Sequence, residues 1–140
     1  MYRWSDALRI GNSEIDHQHK ELFRIAEKVE GLLDDCKPHL SGKKDADREQ
    51  RILQETIKYL KSYTRKHFAA EEVFQQKIGY AGYEAHRKIH RDFVAAVEQM
   101  EEKVYEEECS DESVKNFLDW FSDWLRDHIM REDQRIIEDQ

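Results

Sequence analysis

The sequence predicts an all-α fold, an up-down-up-down antiparallel four-helix bundle with an irregular N-terminal arm. Glycine and proline, which supply turns and interrupt helices, are scarce: the 140 residues include five glycines and one proline. Apolar residues also recur at intervals of three and four over long segments, as on one face of an α-helix. Short connections between four such segments favour antiparallel neighbours. We expect one domain, with the arm at residues 1–12 and the bundle at residues 13–140.

The first predicted helix begins after the arm and ends at about Cys36. Asn12 and Ser13 both offer an N-cap, and Ser13 with Asp16 resembles a capping box with aspartate in place of glutamate. The apolar stripe of this helix consists of Ile15, His19, Leu22, Ala26, Val29 and Leu33.

Three further helices follow. The polar segment Lys37–Asp47 is predicted to be the longest internal loop, in which His39 is solvated. The second helix runs from about Arg48 to Lys77, and the third from about Tyr83 to Glu108. Ser110 caps the fourth helix, which continues nearly to the end of the chain. The stripe of the second helix consists of Leu53, Ile57, Leu60, Thr64, His67, Glu71, Phe74 and Ile78.

Composition argues against several functional classes. The net charge is −8, whereas nucleic-acid binding requires a basic surface, so we expect no nucleic-acid partner. No apolar run approaches the roughly 18 residues needed to span a bilayer, so we expect no membrane association. The first residues lack the apolar core of a signal peptide, which favours a cytoplasmic location. Two cysteines are too few for a disulfide scaffold.

Histidines and a glutamate occupy stripe positions where the pattern requires apolar side chains. His67 and Glu71 are four residues apart, as are His86 and His90, so each pair shares a helix face. In an antiparallel bundle, the starts of the first and third helices meet the ends of the second and fourth. The residues that therefore converge in one layer are His19, His67, Glu71, His86, His90 and His128. Burying these groups without a cation would be costly, so a metal site explains them better than a plain core.

Two local choices concern the ligands. His17 lies among charged residues on the polar side of the first helix, so we assign His19 as the ligand and His17 to the surface. Glu132 is four residues after His128, the usual spacing on one face, whereas Asp133 is five after it but shares an apolar pattern with isoleucines. A π-bulge would bring positions five apart onto one face, and such bulges are frequent at functional sites. The pattern favours Asp133 but leaves Glu132 open.

The donor types indicate which metals the layer could hold. Imidazoles and carboxylates without thiolates suit iron, copper, nickel or zinc. Seven side chains are too many for one tetrahedral zinc ion, so two ions fit better. If both carboxylates and an oxide or hydroxide bridge two octahedral ions, one position stays open for a small molecule. The set lacks the Glu-x-x-His pairs of carboxylate-rich di-iron oxidases, which favours binding over catalysis. We therefore expect no enzyme.

In their order and spacing, these motifs resemble those of the hemerythrin family, in particular the bacterial-type hemerythrin domain. The resemblance covers nearly the whole chain and starts at the Trp4 arm. Its motifs are Ile15-Asp16-His17-Gln18-His19, His67-x-x-x-Glu71, His86-x-x-x-His90 and His128-x-x-x-x-Asp133.

The resemblance implies a non-haem di-iron protein that carries, stores or delivers dioxygen. It assigns one iron to His86, His90 and His128, the other to His19 and His67, and the bridge to Glu71, Asp133 and an oxide or hydroxide. Dioxygen would bind end-on, as hydroperoxide, at the iron with the open position. An apolar pocket that slows water entry would be lined by Phe23, Trp124, Leu125 and Ile129.

Two other functions could use the same site. One is an oxygen or redox sensor, which would need a separate output partner because none fits in 140 residues. The other is a di-iron oxidase, peroxidase or nitric oxide reductase. We expect dioxygen as the small-molecule partner and a monomeric protein, which is compatible with a protein partner for oxygen or iron delivery.

Overall fold

A computed structural model describes residues 1–36 and 43–138. Among these residues there is no strand, and the predicted all-α class is confirmed. The elements are a 3-10 turn Asp6–Leu8, α1 Ser13–Cys36, α2 Lys43–Ile78, α3 Tyr83–Glu106, α4 Asp111–His128, a π-helical segment Ile129–Asp133 and α5 Gln134–Glu138.

The four long helices pack as a ring around one core. Helix α1 packs on α2 and α4, and α3 packs on the same two helices. Consecutive helices are therefore neighbours, as the up-down-up-down arrangement requires. The apolar stripes face inward, where the fully buried residues include Leu22, Val29, Leu60, Phe117 and Phe121. None of the described helices combines the length and apolar character needed to cross a membrane.

Of the two predicted N-caps of α1, the structure uses Asn12. The side chain of Asn12 accepts a hydrogen bond of 3.0 Å from the third helical N–H. The proposed capping box of Ser13 and Asp16 is wrong, because the Asp16 carboxylate instead accepts from the N–H groups of Ile10 (2.7 Å) and Gly11 (3.3 Å). Gly11 has a φ of 100°, a left-handed conformation that turns these groups toward Asp16.

The N-terminal arm lies over α1 and α4. Arg3 pairs with Glu27 of α1 at 3.0 Å, and the N–H of Tyr2 donates to the Ser122 hydroxyl of α4 at 3.1 Å. Leu8 is buried in the core. The arm thus covers the seam between the first and last helices.

Two helix boundaries differ from the prediction. Helix α2 begins at Lys43 rather than about Arg48, because no glycine or proline interrupts the intervening sequence. The rest of the predicted loop, with His39, lies outside the described residues. Helix α3 ends at Glu106 rather than Glu108, since the residues at 108 and 109 adopt φ values of 55° and 54° that end a helix.

Candidate metal centre

Seven side chains from all four helices converge at one end of the bundle. Their exposed fractions do not exceed the 5% of His128, and Glu71 and Asp133 are 0% exposed. They form two overlapping groups of metal-ligating type, within each of which the ligand atoms lie within 4.8 Å of one another. The three-histidine group consists of Glu71, His86, His90, His128 and Asp133, and the two-histidine group consists of His19, His67, Glu71 and Asp133. The structure therefore brings together every residue that the sequence analysis assigned to the metal.

Glu71, which belongs to both groups, presents a different oxygen to each. Its Oε2 lies 3.5 Å from Nε2 of His19 and 3.4 Å from Nε2 of His67. Its Oε1 lies 3.0 Å from Nε2 of His86 and 3.3 Å from Nε2 of His90. The carboxylate thus stands between the two sets of histidines.

Asp133 repeats this arrangement from the opposite side of the bundle. Its Oδ2 lies 3.0 Å from Nε2 of His19, and its Oδ1 lies 3.0 Å from Nε2 of both His86 and His128. Both carboxylates are therefore placed to bridge two ions.

The π-helical segment Ile129–Asp133 positions this second carboxylate. It follows directly on His128 and supplies the widened turn that the five-residue spacing predicts. Asp133 is buried as a result, whereas Glu132 is only half-buried. His17 is exposed, as predicted from the polar side of α1.

The hydrogen bonding of the donors fits metal ions. Nε2 of His19 and His67 and both oxygens of Glu71 and Asp133 are buried, and they have no hydrogen-bond partner in the described part of the chain. These atoms nevertheless approach one another closely, as in the 3.0 Å between His19 and Asp133. Donors about 2.1 Å from one ion lie roughly 3.0–3.4 Å apart, so close approach without hydrogen-bond geometry is typical of ligands around a shared metal.

Electrostatics also favour bound cations. Burial raises the pKa of the Glu71 carboxyl, but the close approach of four histidines outweighs burial and holds that pKa well below its usual value. Burial lowers the pKa of His19 and His86, yet Asp133 and Glu71 outweigh it and raise the pKa of each to about 9. In the metal-free protein, protons on histidines thus neutralise the carboxylates, a role that metal ions can take over.

Two polar side chains that sequence analysis missed contact the outer, Nδ1, nitrogens of ligand-type histidines. Oε1 of Gln18 lies 2.7 Å from Nδ1 of His67, and Oε2 of Glu72 lies 2.9 Å from Nδ1 of His90. Both residues adjoin a stripe position without belonging to the stripe. Periodicity therefore does not identify these two residues. The only available indication is that metal-ligating histidines usually need a hydrogen-bond partner on their outer nitrogen.

Aromatic rings pack against the three-histidine group. Phe68 stacks on His90 with centroids 3.8 Å apart, and Trp124 stacks on His128 at 4.4 Å. Trp124 also stacks on Phe93 at 3.5 Å and is half-buried. The other side chains predicted to line an oxygen pocket are buried in the core, namely Phe23, Leu125 and Ile129.

Gln75, one turn beyond Glu71 on α2, is an unexpected core residue. Its side chain is 0% exposed, and neither amide atom has a hydrogen-bond partner among the described residues. The predicted stripe instead included Phe74, which is only half-buried. Both positions lie within helical spacing of Glu71. Phe74 packs against the core while partly exposed, and Gln75 is the fully buried residue of the two.

Comparisons with known proteins converge on one family. The model of the hemerythrin HHE cation binding domain matches residues 11–138. Over 138 residues, the chain is 30% identical to a bacteriohemerythrin of Clostridium acetobutylicum, covering 99% of this chain and 100% of that protein. It is 34% identical over 135 residues to a bacteriohemerythrin of Pseudomonas paraeruginosa, covering 96% and 78% of the two chains. A myohemerythrin of Sipunculus nudus is 27% identical over 128 residues, covering 91% and 84%.

The buried amide of Gln75 predicts a stabilising substitution. Gln75→Met removes an unpaired polar group and keeps the side-chain length, so the free energy of unfolding of the metal-free protein should rise by about 1–3 kcal/mol. Urea denaturation measures this change. Gln76→Met, at the exposed neighbouring position, is the matched control and should shift stability by less than about 0.5 kcal/mol. Loss of stability in Gln75→Met would show that the amide has a partner in the folded protein.

Proposed function

Because this chain belongs to the hemerythrin family, we propose that it binds dioxygen reversibly at a centre of two iron ions. The observation that supports this proposal most directly is the pair of overlapping donor groups that share Glu71 and Asp133. The two groups suit two ions better than one, because their histidines face different oxygens of each carboxylate. Two ions bridged by these carboxylates would use all seven side chains.

The two groups differ in a way that suits the binding of one small molecule. The three-histidine group would hold one iron, and the two-histidine group would hold the other. With an oxide or hydroxide as a further bridge, the iron with fewer histidines would keep an open position. Iron supplies the reversible transfer of electrons that dioxygen binding without haem requires.

Apolar side chains from α1, α4 and the π-helical segment would protect that position. Phe23 lies one helical turn after His19, and Leu125 and Ile129 flank His128 along the chain. All three are at most 1% exposed, so they exclude water and favour an uncharged diatomic molecule. The predicted place of Trp124 in this pocket stays a prediction. Its ring is half-buried and stacks on His128.

Removing a histidine of the two-histidine group should selectively empty one iron position. We expect His19→Ala to retain a helical fold and to lose about one of the two irons together with oxygen binding. Iron analysis and circular dichroism measure both effects. His17→Ala removes an exposed imidazole two positions away and should retain both irons. Equal iron loss in the two variants would contradict the assignment of His19.

The π-helical segment predicts unequal effects of two adjacent carboxylates. Asp133→Ala should weaken iron binding by more than the roughly 10–100-fold typical of losing an outer partner, because it removes a bridge. Glu132→Ala should leave iron affinity within about a factor of two. Competition with a chelator of known affinity gives the ranking. The reverse ranking would assign the bridge to Glu132.

The function itself is tested by an oxygen cycle on the purified, iron-loaded protein. Two irons per chain, colour that appears under oxygen and bleaching under vacuum would establish reversible binding. Visible absorption follows both directions of the cycle. Iron that oxidises once and does not return would instead favour a sensor or an enzyme. Failure to take up iron after reconstitution would overturn the proposal.

A further inference from the structure

We propose that Glu72 makes the three-histidine group the stronger of the two metal sites, so that this site fills first. The inference rests on the proposed function, since it concerns the metal ions that the function requires. It assigns Glu72 as a positioning residue that acts on the metal through His90.

The contact that carries this inference is the hydrogen bond on the outer nitrogen of His90. Nε2 of this ring faces Glu71 at 3.3 Å, while Nδ1 lies 2.9 Å from Oε2 of Glu72. A carboxylate can only accept, so Nδ1 donates and carries the proton. The lone pair of Nε2 is therefore directed toward the carboxylates, where a metal ion would bind.

The environment of Glu72 keeps this contact effective. The side chain of His90 is 2% exposed and that of Glu72 is 20% exposed, so water screens the bond only partly. Nε of Arg87 lies 3.8 Å from the other oxygen of Glu72, so the side chain is held between a guanidinium and the imidazole of His90. The Phe68 ring, nearly parallel to His90 at an angle of 4°, fixes the plane of the imidazole.

The two-histidine group has a neutral counterpart of this contact. Oε1 of Gln18 accepts from Nδ1 of His67 at 2.7 Å, which selects the same tautomer. An amide oxygen carries no net charge, whereas a carboxylate draws the Nδ1 proton more strongly and makes the imidazole a better donor to a metal. The two outer contacts therefore differ in charge while they share their geometry.

Donor number favours the same order of filling. The three-histidine group offers five side chains and the two-histidine group four. Wild-type binding constants alone would not separate donor number from the charge of Glu72. The variants Glu72→Gln and Gln18→Glu separate the two effects, because they change the charge of the outer partner while every metal-ligating side chain stays in place.

The experiment is an anaerobic titration of the metal-free full chain with Co²⁺, followed by visible absorption and by the paramagnetically shifted proton signals of the histidine Nδ1–H groups. Glu72→Gln retains an acceptor oxygen, and we expect it to weaken the first binding constant about 10–100-fold with little change in the second. We expect Gln18→Glu to strengthen the second binding constant and so to reduce the difference between the first and second constants. The shifted signal of His90 should move in Glu72→Gln.

A matched control removes a nearby surface charge. Glu98 pairs with Arg65 instead of a histidine and is half-exposed, so Glu98→Gln should leave both cobalt constants unchanged. Urea denaturation of each metal-free variant reports any purely structural role. If Glu72→Gln does not fold, the second cobalt binding constant of Gln18→Glu decides alone. An increase in that constant would support the inference, and no change would overturn it.

The results separate this inference from the proposed function. Wild-type protein that takes up fewer than two Co²⁺ ions would count against the two-metal centre. Two ions bound with constants that neither Glu72→Gln nor Gln18→Glu changes would overturn the role of Glu72 alone. A loss of stability in Glu72→Gln with unchanged cobalt constants would likewise reduce Glu72 to a structural contact.

Discussion

Two ionised carboxylates buried against the same histidines impose the constraint on which the rest of this structure depends. Glu71 and Asp133 are 0% exposed and both contact His19 and His86. Neighbouring carboxylates at such depth repel each other and lose the solvation of water, so positive charge has to lie around them. His19 and His86, whose pKa values are raised, supply that charge as protons without metal, and bound ions can replace those protons.

The surrounding bundle holds these groups in place. Each helix contributes at least one donor, so the relative positions of all four long helices set the geometry of the centre. The aromatic rings of Phe68 and Trp124 restrict the imidazoles of His90 and His128. Gln18 and Glu72 accept hydrogen bonds from His67 and His90 and so select the tautomers of these two rings. Side chains fixed in this way lose little conformational freedom when a metal binds, which favours affinity.

The fold and the convergence of the histidines with Glu71 could be predicted from sequence because both depend on periodicity. A histidine on an apolar stripe has to face the core, and antiparallel packing places the relevant helix ends together. Glu72 and Gln75 escaped prediction for different reasons. Whether the half-buried Glu72 reaches His90 depends on side-chain conformation, which periodicity does not describe. Gln75 and Phe74 both satisfy helical spacing, and only the actual rotation of α2 decides which one enters the core.

The widened turn at Ile129–Asp133 has a consequence beyond the metal centre. It shifts the angular phase of everything that follows it, so α5 presents Ile136 to the core, where this residue is 0% exposed. Had the helix continued without the shift, the buried carboxylate and the buried isoleucine would both have rotated away from the core. The metal centre and the packing of the C-terminal helix therefore share one helical register. An insertion or deletion within this turn would therefore displace both Asp133 and Ile136.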